Sequence, residues 1–221
     1  MYKILQLLAV IVTVLFFQSC KLDNQETPKL IFSGNFTYNG KPVPLENGII
    51  NLKFYQDGYD LVGWFTVSSD QNGKYQNLIF PGEYKVALEN GKGAYENNTD
   101  TVKLSISKSL AYDWTMKPYF FVNKTDYLKN GKNLIANINI EKVSNRELEQ
   151  VSLLMARTKI CDRINKDNEI IINAEEINDL SKISINTDLS DWKNSSLFVR
   201  IGVKSNASSY YNYSEVVKID L

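Results

Sequence analysis

The sequence contains no histidine. That absence removes Ser-His-Asp and Cys-His nucleophilic catalysis, and it removes any histidine-bound zinc or iron site. Cysteine is scarce, with two in 221 residues. An excess of one charge is also missing. The 25 basic and 25 acidic residues are evenly mixed and the net charge is zero. Without a basic stripe, nucleic acid is not an expected partner. Helical periodicity is missing from almost everything beyond the first twenty residues. Apolar residues are plentiful at 43% and aromatics at 12%, which favours folded domains over disorder. The length suits one large or two small domains.

The one long apolar run opens the chain. Lys3 supplies a positive charge ahead of Ile4 to Phe17, a stretch broken only by Gln6 and Thr13. Its length fits a signal-peptide core and is short for a membrane span of about 20 apolar residues. The stretch Phe17-Gln18-Ser19-Cys20 then resembles a bacterial lipobox. That resemblance implies cleavage after residue 19 and acylation of Cys20. Stable anchoring needs more than one acyl chain, because each buried CH₂ contributes only about 0.8 kcal/mol, and a lipoprotein anchor meets that need. The alternative is an ordinary secretory signal or a signal anchor, with Cys20 as an incidental thiol. The following KLDNQETPK is polar and aperiodic and reads as a tether. Its Lys21, Asp23 and Glu26 resemble the charged export signal of surface lipoproteins in Bacteroidetes. With Cys20 lipidated, Cys161 has no intrachain partner. In ARTKICDRI it reads as a buried or half-buried free thiol, since no histidine exists to activate it as a nucleophile.

The remainder reads as short strands punctuated by Gly, Asn and Asp. KLIFSGNFTY is a strand followed by the turn NGKP. GIINLKFY and LVGWFTV are the next two strands. Asn72-Gly73 in DQNGKY is a hairpin turn, because both residues readily adopt positive φ. YQNLIF and GEYKVAL flank Pro81-Gly82, and TVKLSIS and LAYDWTM close the block. Strands at this spacing predict a sandwich. PYFFVNKTDYLKNG, beginning at Pro118, reads as a joint between domains. In KNLIANINIEKV the residues Leu134, Ala136, Ile138 and Ile140 mark one face of a strand. LEQVSLLMARTK could be helical by its apolar content, but its neighbours favour a strand. NEIIINA, SKISINTDL, LFVRIGVKS and YSEVVKI follow, with one short helical turn expected within 174–180. The expectation is an all-β chain of two tandem β-sandwiches: signal peptide 1–19, lipidated tether 20–28, first sandwich 29–118 and second sandwich 119–221.

Three pieces of the first block carry a resemblance: SGNFTYNGKPVP, DQNGKYQNLIFPGEYKVAL and DTVKLSI. Their early Gly, Gly-Pro turn, Gly before an aromatic and Pro-Gly-x-Tyr resemble the carboxypeptidase-regulatory or transthyretin-like sandwich. The second block resembles an immunoglobulin-like or fibronectin-like sandwich. Across the mature chain, GIINLKFYQDGYD, PGEYKVALENGKGAY and LFVRIGVKSNASSYYNYSEVVKI resemble an uncharacterised two-domain lipoprotein family of gut Bacteroidetes. Members of that family are often encoded beside SusC/SusD-type glycan uptake systems. The resemblance implies a lipid-anchored outer-membrane protein, displayed at the cell surface rather than the periplasmic face. Its implied partners are the bacterial outer membrane, a SusC/SusD-type transporter and polysaccharide. It supplies no catalytic residues.

The aromatics are the most informative candidates. Sugars present apolar C–H faces that pack on flat rings, and rings with a polar tip suit a partly wet surface. Tyr55, Tyr59, Trp64 and Tyr95 are the candidates of the first block; Trp192, Tyr210 and Tyr211 are those of the second. The competing reading makes most of these rings core or sheet-face residues. Asp57 with Asp60, and Asp188 with Asp191, are carboxylate pairs three apart. Such pairs can ligate calcium or act as acid and base, but turn geometry explains Asp and Gly equally well and no calcium-loop spacing is complete. Asp100-Thr101-Val102 resembles the short O-glycosylation acceptor of exported Bacteroidetes proteins, which would place a glycan on Thr101. The resulting expectation is a non-catalytic, membrane-anchored glycan-binding accessory protein with neither metal nor cofactor. A protein-docking module or adhesin is the second reading, and a two-carboxylate glycosidase the third.

Overall fold

The computed structural model describes residues 26–57 and 63–221. Alternation in the first half becomes nine strands: β1 (Leu30–Tyr38), β2 (Lys41–Pro42), β3 (Asn51–Tyr55), β4 (Trp64–Ser68), β5 (Lys74–Ile79), β6 (Gly82–Leu88), β7 (Thr101–Ile106), β8 (Leu110–Ala111) and β9 (Trp114–Thr115). One sheet runs β2-β1-β5, with β8 and β9 adding parallel to β1; the facing sheet runs β4-β3-β6-β7. Their inner faces meet in one core, where Phe32 and Phe54 cross edge to face at 4.9 Å. Asn39 (φ 50) and Gly40 (φ 73) close the β1–β2 hairpin with both central residues in the left-handed region, as a tight hairpin requires.

A turn forms at Asn72-Gly73 too, but only Gly73 takes positive φ; the Asp70 carboxylate holds it, accepting from the Asn72 and Lys74 amides. It does not join a hairpin within one sheet. β4 is captured by β3 and β5 by β1, so the turn carries the chain from one sheet to the other. Gly73 is required twice over: its φ is +76°, and a Cβ there would lie 2.1 Å from the Val43 carbonyl oxygen.

The second half forms β10 (Phe120–Asn130), β11 (Asn133–Lys142), β12 (Leu148–Ala156), β13 (Asn168–Asn173), β14 (Ile183–Asp188), β15 (Ser196–Ser205), β16 (Tyr211–Tyr213) and β17 (Val217–Asp220). The sheets are β10-β11-β14 and β13-β12-β15-β16, with β17 also pairing β15. Leu134, Ala136, Ile138 and Ile140 of β11 face Val151, Leu153 and Met155 of β12 in a second core. The expected helical turn is the 3₁₀ turn Ala174–Glu176. The joint at Pro118 is shorter than expected: it lies between β9 and β10, and most of PYFFVNKTDYLKNG is strand β10, in register with β11 from Phe120 to Asn130. A bulge between Val122 and Lys124 shifts the pairing, which breaks the period of two and hides the strand from pattern reading. Among the described residues, no helix is long and apolar enough to cross a membrane.

The two sandwiches are fastened by a buried cation. Arg200 of β15 has no exposed surface. Its Nε donates to the Ser214 carbonyl at 2.7 Å and its Nη1 to Cys161 O at 3.1 Å. Its Nη2 reaches across to the first sandwich, donating to Leu45 O at 2.9 Å and Gln71 O at 2.7 Å. The guanidinium also lies 4.2 Å from the centre of the Tyr213 ring. Burial pushes the guanidinium down to about 10, and the Tyr213, Cys161 and Asp162 groups around it act against that loss. It therefore stays charged at neutral pH.

Neighbouring contacts extend the seam. Glu46 accepts from Arg163 Nε at 2.8 Å and from the Tyr213 hydroxyl at 3.3 Å. Gln71 Nε2 donates to Lys159 O at 2.9 Å, and Asn212 Nδ2 donates to Ala94 O at 2.8 Å. An unpaired buried polar group costs about 1–3 kcal/mol. Arg200→Ala strips partners from carbonyls on both sides of the seam, so it is expected to destabilise the protein by about 3 kcal/mol or more. Urea unfolding of wild type and variant checks this; a loss below about 1 kcal/mol would mean the seam does not rest on Arg200.

Candidate functional site

Strand β4 lies at the edge of its sheet, and its first two residues point to opposite faces. Phe65 turns inward, stacked on Phe54 at 4.9 Å and edge-on to Tyr84 at 5.9 Å. Trp64 turns outward beside Tyr55, ring centres 5.9 Å apart, with the Lys53 ammonium 4.9 Å from the indole centre. A cleft of about 990 Å³ opens at this end of the first sandwich. Leu30, Phe54, Phe65, Leu78, Phe80 and Tyr84 line its interior, and Trp64 stands on its lip. Its size lies at the top of the range for small-molecule sites. Trp64 is 57% exposed, while Leu78 and Phe80 are also exposed. With the partly exposed Phe65, four large apolar side chains around one cleft are open to solvent. They form a contiguous apolar surface of the kind that marks a binding site.

The other ring candidates go elsewhere. Tyr55 is half-buried and belongs to the Trp64 surface. Tyr59, Asp60 and Cys20 lie outside the described residues. Tyr95 sits among turn residues in sequence but is only 3% exposed. Its ring joins the first core and its hydroxyl donates to Glu89 O, so it offers no contact surface. Trp192 packs against the second core and spends its indole N–H on Ser196 O at 3.1 Å. Tyr210 also packs on that core, 5.0 Å from the Arg163 guanidinium. Tyr211 is half-buried, and its hydroxyl accepts from Gln150 Nε2 at 3.2 Å. The rings named from the sequence therefore do not form one surface. Leu78 and Phe80 carry no such signal in the sequence, because residues next to Pro81-Gly82 read as strand end and turn.

The described carboxylate candidates, Asp57, Asp188 and Asp191, lie in turns or at a strand end. Asp188 accepts from the Ser190 amide at 2.8 Å and hydroxyl at 2.7 Å, and these bonds hold its carboxyl below the usual range. Asp57 and Asp191 are exposed. Among the described residues, no group of three or more His, Cys, Asp or Glu could hold a metal ion. Thr101 is exposed at the first position of β7, opposite Ala87.

Cys161 is fully buried, as its surroundings in sequence suggested. Its carbonyl serves Arg200 and its thiol joins Leu154, Ala156 and Tyr213 in a small cluster behind β12.

Against known families, the DUF3823 N-terminal domain, described as a protein of unknown function, matches residues 30–117. The DUF3823 C-terminal domain, also of unknown function, matches residues 120–218. The chain belongs to this two-domain family. A DUF3823 protein of Bacteroides ovatus is 29% identical with a TM-score of 0.80, the match covering 87% of this chain and 100% of that one. A DUF3823 protein of Parabacteroides merdae is 24% identical with a TM-score of 0.79, covering 88% and 100%. A Bacteroides uniformis protein, provisionally described as carbohydrate binding, is 22% identical with a TM-score of 0.71, also covering 88% and 100%. No curated protein matches the chain.

Burial pushes the Cys161 thiol up to about 12, so the thiolate needed for reaction is nearly absent at neutral pH. A disulfide-exchange reagent at pH 8 is expected to leave Cys161 of the folded protein untouched and to react once it is unfolded. Rapid labelling of the native chain would contradict this burial.

Proposed function

We propose that this protein is a non-catalytic glycan-binding accessory protein, anchored by acyl groups on Cys20 to the outer membrane of a Bacteroidetes cell. Its station is the cell surface, beside a SusC/SusD-type transporter that takes up the glycan. The observation that carries the binding part is Trp64, an indole 57% exposed beside Tyr55. An open flat ring flanked by a tyrosine and a lysine is suited to the C–H face of a sugar, with polar groups near its hydroxyls. The B. uniformis relative's provisional description as carbohydrate binding points the same way. The lack of histidine and the turn-bound carboxylates support a non-catalytic role. The anchor rests on the lipobox-like Phe17-Gln18-Ser19-Cys20. A short tether would hold the site near the membrane, where local concentration strengthens weak capture.

A second reading is favoured by one observation. The cleft interior is mainly apolar, which suits a protein side chain better than a sugar. In that reading the chain is a docking module or adhesin.

Affinity electrophoresis of the chain from Lys21 onward, through a panel of plant, host and microbial polysaccharides, tests the proposal. Retardation by at least one glycan is expected. Trp64→Ala is expected to weaken it roughly tenfold, the scale of one ring contact. Tyr95→Phe should leave it unchanged, because that ring is in the core. No retardation across the panel would overturn the glycan reading in favour of docking. Separately, Cys20→Ser is expected to release the full-length protein from the membrane fraction; retention there would contradict a lipid anchor.

A further inference from the structure

The solvent face of the β4-β3-β6-β7 sheet breaks a rule of strand pairing. Lys85 and Lys103 stand directly opposite each other on β6 and β7, and both are exposed. Like charges in directly opposed positions destabilise a sheet. On the same face the Lys53 ammonium does have a partner, Glu89 at 3.2 Å. Glu83, two residues before Lys85 on the same face, accepts from the Ser105 hydroxyl. Among the described residues, neither Lys85 nor Lys103 has an ion-pair partner.

The pairing register places these lysines in line with the exposed rings. Lys85 opposes Tyr55 across β6 and β3, and Tyr55 opposes Trp64 across β3 and β4. Trp64, Tyr55, Lys85 and Lys103 therefore form one row across the four strands, about 15 Å long at the usual spacing of neighbouring strands. Two rings occupy one end and two unpaired ammoniums the other. A local rule broken without compensation among the described residues is expected where function requires it.

We propose that this row binds an acidic glycan, with sugar faces on Trp64 and Tyr55 and carboxylate or sulfate groups on Lys85 and Lys103. The inference rests on the glycan reading above and adds the charge of the polymer. A neutral glycan would leave the two ammoniums unpaired, whereas an anionic one relieves the repulsion that folding left in place.

The test is affinity electrophoresis of the chain from Lys21 onward in polygalacturonate, in chondroitin sulfate and in a neutral glucan, each at low and high salt. Retention by an acidic polymer that weakens as salt rises is the expected result. Retention by polygalacturonate alone assigns a carboxylate ligand, and by chondroitin sulfate alone a sulfated one. Lys85→Glu and Lys103→Glu should each weaken retention at least tenfold, whereas Lys85→Arg should retain it. The same two glutamate variants should raise the thermal midpoint by about 1–3 °C, because each turns a repulsive cross-strand pair into an attractive one. Loss of retention together with a lowered midpoint would overturn the inference, since the lysines would then be structural. Retention by the neutral glucan alone, unchanged in both glutamate variants, would overturn the acidic class and leave the glycan reading standing. Retention by none of the polymers would overturn both.

Discussion

The Arg200 guanidinium is the constraint on which the arrangement of the two sandwiches depends. A charge with no exposed surface is tolerated only where its donors find acceptors, and four of the five guanidinium N–H groups do so. Here the acceptors are backbone carbonyls contributed by both sandwiches, Leu45 and Gln71 on one side and Cys161 and Ser214 on the other. The Tyr213 ring covers the guanidinium face. Separating the domains would leave that cation without half of its partners. Hydrophobic contact alone would let the sandwiches slide, whereas a planar fork bonded at fixed angles sets one register between them.

This docking also decides which surfaces remain available. The outward face of β12 and β15 is covered by the seam, which takes Cys161, Tyr213 and Asn212 out of solvent. Tyr95 is withdrawn separately, by the first core and its hydroxyl bond to Glu89 O. The far end of the first sandwich is left open, and there the edge strand β4 presents Trp64 on one face and Phe65 on the other. Residues 26–30 line the same cleft. A lipid anchor at Cys20 would therefore hold the Trp64 face within a few residues of the membrane, close to any transporter seated there.

Alternation in the sequence was enough to identify most strands, because one face of each is core and the other solvent. KNLIANINIEKV is the clearest case: Leu134, Ala136, Ile138 and Ile140 all enter the second core. Where both faces are covered the signal fails. VSLLMA in β12 is buried at every position, since Val151, Leu153 and Met155 fill the sandwich while Leu154 and Ala156 meet the seam. A continuous apolar run of that kind cannot be separated from a helix by period alone. Arg200 was illegible for a related reason. In LFVRIGVKS it occupies an alternate position that reads as solvent-facing, and nothing local records that another domain closes over it. Of the candidate site, Trp64 and Tyr55 were legible as aromatics in a strand-rich stretch. The opposition of Lys85 and Lys103 was not, because it depends on the register of β6 and β7.

The central claim is that ligand contact is made on the Trp64 face and nowhere else among the tryptophans. The three indoles report this separately: Trp64 is open, Trp114 is buried in the first core, and Trp192 spends its N–H on Ser196 O. The most direct measurement is the two-dimensional amide and indole NMR spectrum during titration with oligogalacturonate. The account predicts a progressive shift of the Trp64 indole signal and of the β3, β6 and β7 amides beside it, with the Trp114 and Trp192 indoles still. Shifts centred on Trp192 or the second sandwich, with Trp64 unmoved, would contradict it.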